Sequence, residues 1–206
     1  MNKATEYWDS QAKRKFAFLG AEKKIVDNIW KRQAIVRRLL ACDFYEKSIL
    51  EIGVGPGTTF AAIKLILLNR FNYIGTDVSK EYVDFVKNKW KMKVIQTDVT
   101  NLPGGNDQYD YIVALDSLAH VPPNDRLSGF IEINRVLKSK GCIILNITKD
   151  IKPDPSNFDW GFFDGDLFRL TKICNLRIEK LEPYAIRILE TGEIRNYVFF
   201  IGRKQI

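Results

Sequence analysis

The chain has 206 residues, 46% of them hydrophobic and 28% charged, with a formal net charge of +7. That balance excludes a disordered or low-complexity chain and is enough to bury roughly two thirds of the unfolded surface. The longest apolar stretch, residues 61–68, carries Lys64 and falls far short of the ~20 residues of a spanning helix, while residues 1–10 hold charges and no apolar signal core, so no membrane span and a cytoplasmic location are expected.

In chain order, residues 3–40 show apolar positions three and four apart (Ile25, Ile29, Ala34, Ile35, Leu39), with Gly20 between two predicted helices. Basic residues crowd this third, among them Lys13, Arg14, Lys15, Arg37 and Arg38. They read as the solvated face of amphipathic helices, a nucleic-acid or acidic-substrate surface being the alternative. From there short Val/Ile/Tyr-rich runs alternate with helical patterns. Strands are predicted at 48–52, 73–75, 93–96, 109–115 and 142–147, and helices at 58–68, 80–90 and 124–137, with Ser79 capping the second of these helices and Gly141 stopping the last. Such alternation implies crossover connections and a parallel sheet covered on both faces. Residues 147–167 mix Pro153, Pro155, Gly161 and Gly165 with Phe158, Trp160, Phe162 and Phe163, too aromatic for a plain linker. Two final strands, 176–181 and 197–201, are predicted to pair antiparallel around a turn at Gly192. Cys42, Cys142 and Cys174 lack paired spacing and read as free thiols, with neither a disulfide nor a metal site expected.

The segment that carries chemistry is Ser48-Ile-Leu-Glu-Ile-Gly-Val-Gly-Pro-Gly-Thr-Thr59, a strand running through Gly53, Gly55 and Gly57 into a helix. Glycines there permit a tight turn and close approach of a ligand to the backbone. A dinucleotide fingerprint would place its third glycine at Thr58, so the spacing fits a nucleoside more than a pyrophosphate. Acidic residues then close the next two strands. Asp77 can accept hydrogen bonds from both hydroxyls of a ribose and Asp98 from an adenine amino group, while Glu51, just before the first glycine, favours a cationic sulfonium or ammonium.

With these residues the chain resembles the class I S-adenosylmethionine-dependent methyltransferases of the small-molecule-modifying kind. The resemblance rests on Glu51-Ile-Gly-Val-Gly-Pro-Gly57, Gly75-Thr-Asp-Val-Ser79, Thr97-Asp-Val99, the run from Tyr109 to Pro122 and Lys140-Gly-Cys-Ile-Ile-Leu-Asn146, and covers residues 47–148 well. It implies an α/β fold with a Rossmann-like, seven-stranded, mostly parallel sheet whose last strand is antiparallel, plus N-terminal helices. One methyltransferase domain over 1–206 is expected, 1–44 being a helical extension and lid and 45–206 the α/β core. S-adenosylmethionine, leaving as S-adenosylhomocysteine, would lie across Gly53, Val54, Gly55 and Gly57, with Val78 and Val99 beside Asp77 and Asp98. Leu115, Asp116 and Ser117 would touch its methionine part, and Tyr7 or Trp8 would close over it.

The acceptor is read as a small molecule offering a hydroxyl or an amine. His120, the only histidine, follows the fourth strand and has a side chain suited to a general base, a structural or cofactor-orienting role being the alternative. Trp160, Phe162, Tyr184 and Arg187 are the further candidates for acceptor contact. Asp116-Ser-Leu-Ala-His120 stands where a nucleic-acid amino methyltransferase would carry its Pro-Pro-Tyr motif, which argues against a base substrate. An RNA ribose or protein target, and a non-catalytic cofactor-binding module, stay open as alternatives, and the sequence does not speak to oligomeric state.

Overall fold

The computed structural model describes residues 3–19, 33–67, 70–149, 152–187 and 194–206, which form two compact units, Met1–Asp98 and Val99–Ile206. In the first unit, helices α1 (Lys3–Leu19) and α2 (Gln33–Leu40) precede β1 (Ser48–Ile52), α3 (Thr58–Leu67), β2 (Asn72–Asp77), α4 (Lys80–Trp90) and β3 (Lys93–Gln96). The strands lie parallel in the order β3-β2-β1, with Glu51 opposite Gly75 and Asp77 opposite Gln96. Four of five β1 residues and five of six β2 residues are buried, as expected of parallel strands covered on both faces. Helix α1 packs on α4 through Phe16, stacked on Phe85 at 4.6 Å and edge-on to Tyr82 at 5.7 Å.

The second unit holds β4 (Tyr109–Leu115), α5 (Pro123–Val136), β5 (Leu137–Thr148), α6 (Asp164–Ile173), β6 (Leu176–Arg187) and β7 (Ile194–Lys204), with strand order β4-β5-β7-β6. β4 and β5 run parallel, and β7 is antiparallel to both β5 and β6. On the edge, β6 tolerates Pro183 because one row of its backbone donors has no sheet partner to satisfy. Arg177, Arg203 and Glu179 pair across its exposed face, the kind of charge that discourages edge-to-edge association.

Most predicted elements are found, with three differences. Gly141 does not end a helix; α5 hands over directly to β5 at Leu137, and Gly141 lies within the strand. A Cβ there would sit 3.0 Å from the Asp110 carbonyl oxygen and 2.9 Å from that of Lys138, so the glycine serves close backbone packing. The two final strands run well past their apolar cores, since pairing with β7 continues to Arg187. Helix α6 went unpredicted because its buried positions, Leu167 and Leu170, are few and its N-terminus merges with the aromatic segment. The break at Gly20 and the turn at Gly192 fall outside the described residues.

Candidate functional site

In the first unit, the loop of residues 53–57 leaves β1 with left-handed backbone at Gly53 (φ 75°), Gly55 (φ 49°) and Gly57 (φ 78°). Only glycine adopts this run without strain. The two glycines nearest the helix differ in surroundings. A Cβ on Gly57 would come within 2.7 Å of the Trp90 ring, whose Nε1 donates to the Pro56 carbonyl at 3.0 Å, so Trp90 braces the loop from behind. A Cβ on Gly55 would meet nothing within 4 Å, so this side of the loop is open to a ligand. The loop's start is tied to β2 by N–H bonds from Gly53 and Val54 to the Thr76 carbonyl, at 2.8 and 3.0 Å. Val54 is buried in the space that Gly75 leaves, where a Cβ would lie 2.3 Å from its Cγ1.

Asp77 ends β2 and is only 8% exposed. Its Oδ2 accepts from the Gly55 N–H at 2.8 Å and its Oδ1 from the Ser79 N–H at 2.9 Å, so the carboxylate clamps the loop while each oxygen keeps a second lone pair. Burial pushes the Asp77 carboxyl up from 3.8 to about 6, against the downward pull of those two backbone donors; Asp9 adds to the rise and Lys15 opposes it. Asp9, on α1, accepts from the Ser79 hydroxyl at 2.7 Å and from the Glu81 N–H at 3.2 Å. It thus places a negative charge at the N-terminus of α4, where the helix dipole favours one. Tyr7 and Trp8, the two residues before Asp9, are half-buried and edge-to-face at 5.0 Å.

Glu51 is 2% exposed and its Oε2 accepts from the Tyr73 hydroxyl at 2.8 Å. Burial, and then the Glu51 charge, hold the Tyr73 hydroxyl well above its usual value. Val78 is half-buried beside Asp77, with its carbonyl accepting from Gln96 Nε2 at 3.1 Å, whereas Asp98 is exposed just past β3.

In the second unit, β4 ends in buried Leu115 and then Asp116, whose φ of 59° is left-handed in a residue with a Cβ, backbone strain of the kind that gathers at functional sites. Asp116 Oδ1 accepts from Asn146 Nδ2 at 2.6 Å and from Thr148 Oγ1 at 3.3 Å; Asn146 Oδ1 in turn accepts from the Tyr184 hydroxyl. Tyr184 is stacked on Tyr197 at 5.4 Å. Asp116, Asn146 and Thr148 line a small recess with Leu118, Ala119 and Phe162, on the order of one water molecule in size.

His120 closes the 3-10 turn Leu118–His120. Its Nδ1 lies 2.9 Å from the Phe158 carbonyl, which can only accept, so Nδ1 donates. The neutral ring is therefore the Nδ1–H tautomer, with its basic lone pair on Nε2. The Trp160 N–H donates to the Ala119 carbonyl at 2.9 Å, binding the aromatic segment to the same turn. Phe162 is buried against Phe130, and Val99 is buried beneath Gly129. Arg187 lies at the end of β6, its side chain outside the described residues.

Arg126 escaped the sequence reading. It is 6% exposed, and its guanidinium donates to the Val121 carbonyl at 3.0 Å, to the Gly161 carbonyl at 2.5 Å and to Asp166 Oδ2 at 2.6 Å while facing the Phe162 ring. It pins the aromatic segment and the start of α6 to α5. The signal was available: Arg126 falls on the buried stripe of α5 with Phe130 and Ile133, and a charge on an apolar stripe implies a buried partner. Asn146 and Thr148 also went unnominated, since nothing local marks a polar strand residue as one that faces a carboxylate.

A glycine loop after the first strand, clamped by an acidic residue at the end of the second, defines a Rossmann-like protein that binds a nucleoside cofactor. A family model described as a methyltransferase domain matches residues 49–141, the stretch that holds this loop, Asp77, Asp98 and the 116–120 turn. Over this stretch the chain is similar to the class I S-adenosylmethionine-dependent methyltransferases, whose cofactor is S-adenosylmethionine. An O-methyltransferase of Pyrenophora dematioidea is 26% identical over 162 residues, 73% of this chain and 58% of the fungal protein. A demethylmenaquinone methyltransferase of Staphylococcus saprophyticus is 35% identical over 75 residues, 34% of this chain and 31% of that enzyme. The chain thus spans less than two thirds of either curated relative. The solved structure of magnesium protoporphyrin IX methyltransferase from Synechocystis, with bound S-adenosylmethionine, shares the fold at a TM-score of 0.71 and 14% identity, over 100% of this chain and 98% of that one. No described helix is long and apolar enough to cross a membrane.

Proposed function

We propose that this chain transfers a methyl group from S-adenosylmethionine to a hydroxyl or amine of a small molecule. The observation that carries the reading is the open, left-handed Gly55 with its N–H held by the buried Asp77 carboxylate. This is a backbone cradle edged by a hydrogen-bond acceptor, which suits a ribose. When bound, the cofactor supplies a methyl group on a sulfonium, already activated for in-line displacement.

The protein's own work is binding, orientation and proton transfer. Gly53, Val54, Gly55 and Gly57 form the floor. Asp77, followed by Val78, accepts from the ribose hydroxyls through its remaining lone pairs, and Asp98, followed by Val99, takes the adenine side. Glu51 adds a fixed negative charge that favours the cation. Leu115, Asp116 and Ser117 serve the methionine end, and Tyr7 or Trp8 covers the cofactor. On the acceptor side, His120 Nε2 takes the proton that a hydroxyl loses as it is methylated, or that an ammonium must lose before its nitrogen can attack, its ring aimed by the bond from Nδ1 to the Phe158 carbonyl.

Calorimetric titration with S-adenosylmethionine, S-adenosylhomocysteine and NAD tests the first step. Both sulfur nucleosides should bind and NAD should not, and Asp77→Ala should weaken binding at least tenfold; NAD binding alone overturns the reading. Turnover with small hydroxyl and amine acceptors, and none with RNA or protein, is the expected second result.

A further inference from the structure

Ser79 is fully buried and bonds in three directions. Its N–H donates to Asp77 Oδ1 at 2.9 Å, its Oγ accepts from the Tyr82 N–H at 3.3 Å, and its hydroxyl proton goes to Asp9 Oδ1 at 2.7 Å. The first two bonds are local to the turn between β2 and α4. The third comes from α1, 70 residues away in the chain, and the same Asp9 oxygen takes the Glu81 N–H at 3.2 Å. Capping needs only the bond from the helix N–H. The bond to Asp9 fixes Ser79 from the other side, and with it the N–H that makes one of the two backbone bonds to Asp77.

Helix α1 has other ties to α4, in the Phe16 stack on Phe85 and the Lys13–Glu81 ion pair at 3.4 Å. A neutral acceptor at position 9 would add to them without cost. Instead a half-buried carboxylate stands near a buried one, and its charge adds to the rise of the Asp77 carboxyl. Like charges repel, so this arrangement costs free energy that docking a helix does not require. The other groups that act on Asp77 are the backbone donors of Gly55 and Ser79 and, from α1, Lys15; Tyr82 of α4 faces it as a neutral hydroxyl, held so by burial and then by the Asp77 charge. Asp9 alone combines a charge felt at Asp77 with a bond to the residue that orients it.

Resting on the reading of Asp77 as the ribose ligand, we infer that Asp9 is a positioning residue for the cofactor: from α1 it fixes Ser79, Ser79 aims Asp77, and the Asp9 charge sets the pH below which the ribose is released.

Both bonds to Asp9 use a single oxygen, so Asp9→Asn can keep them with its amide oxygen and lose only the charge, whereas Asp9→Ala loses both. On the whole chain, S-adenosylhomocysteine affinity is measured by calorimetry from pH 5 to pH 8. The Asp77 carboxyl is titrated without ligand by carbon-13 NMR of aspartate-labelled protein, its signal being the one missing in Asp77→Asn. At pH 8 Asp9→Ala should bind about five- to tenfold more weakly, the worth of one hydrogen bond, while Asp9→Asn stays within about twofold of wild type. In Asp9→Asn the loss of affinity on acidification and the Asp77 midpoint should both move to lower pH, because the repelling charge is gone. Ser79→Ala should weaken binding as Asp9→Ala does, and the double variant no more than either alone, since one chain of contacts is cut twice.

Unweakened binding in Asp9→Ala, an equal loss in Asp9→Asn, additive losses in the double variant, or an Asp77 midpoint unmoved in Asp9→Asn overturns the inference. Should Asp9→Ala fail to fold, the Asp9→Asn midpoint decides. Should wild-type protein bind no S-adenosylhomocysteine while that midpoint still moves, the methyltransferase reading fails and the hold of Asp9 on Asp77 stands.

Discussion

Asp77 is the residue whose ionisation should be felt most widely, because it is both buried and clamped to the cofactor loop. In the unfolded chain its carboxyl ionises near its ordinary 3.8, whereas in the folded protein burial raises it to about 6. Its contribution to stability is therefore fully present below 3.8 and is lost as pH rises through about 6, since in that window the folded state holds a proton that the unfolded state has released. At ~1.4 kcal/mol per pH unit the interval is worth about 3 kcal/mol. Asp77→Asn removes the titration and adds a pH-independent cost, because the amide NH₂ must face one of the N–H groups of Gly55 or Ser79. Urea unfolding followed by circular dichroism, on both proteins at pH 4, 5, 6 and 7, should show the variant gaining about 2.5 kcal/mol on wild type across the series. Titrations common to both cancel in the difference. A flat difference, or one that moves the other way, would refute the reasoning by showing that the backbone donors outweigh burial. The same group ties binding to pH. Ribose hydroxyls that donate to Asp77 favour its ionised form, so S-adenosylhomocysteine affinity should fall by up to tenfold per pH unit below about 6.

Three more expectations follow from particular contacts. Gly57→Ala sets a Cβ against Trp90 in a left-handed backbone and should cost about 2–4 kcal/mol, read as a lower Tm with a changed Trp emission; an unchanged Tm would mean that the loop is not braced there. Arg126→Met strands Asp166 in a site only 12% exposed and should cost about 3–5 kcal/mol, whereas Arg126→Met with Asp166→Asn should recover part of the loss; equal stability of single and double variants would remove the ion pair from the account. Once an acceptor is in hand, His120→Gln should lower kcat by ~10²–10⁴, and a drop under threefold would end the base role.

Much of the fold was open to one-dimensional reading because its signals are local. Alternating apolar runs and helical stripes announce crossover units, and glycines at 53, 55 and 57 announce a backbone that other residues resist. Acidic residues at strand ends, Asp77 above all, could be nominated for the same reason: in a parallel sheet the end of a strand is where ligands bind. Tertiary structure decided what depends on distant partners. Only the folded chain brings Gly55 and Ser79 to the two oxygens of Asp77, so that a carboxylate read simply as a ribose ligand is also the clamp of the loop. Only there does Glu51 meet Tyr73, Arg126 meet Gly161 and Asp166, and Asn146 link Tyr184 to Asp116. The sequence marked His120 as a candidate, but the carbonyl of Phe158, 38 residues away, chooses its tautomer. Periodicity and spacing encode which way a residue faces and how the backbone turns; pairings across tens of residues are set by packing, which no local pattern records.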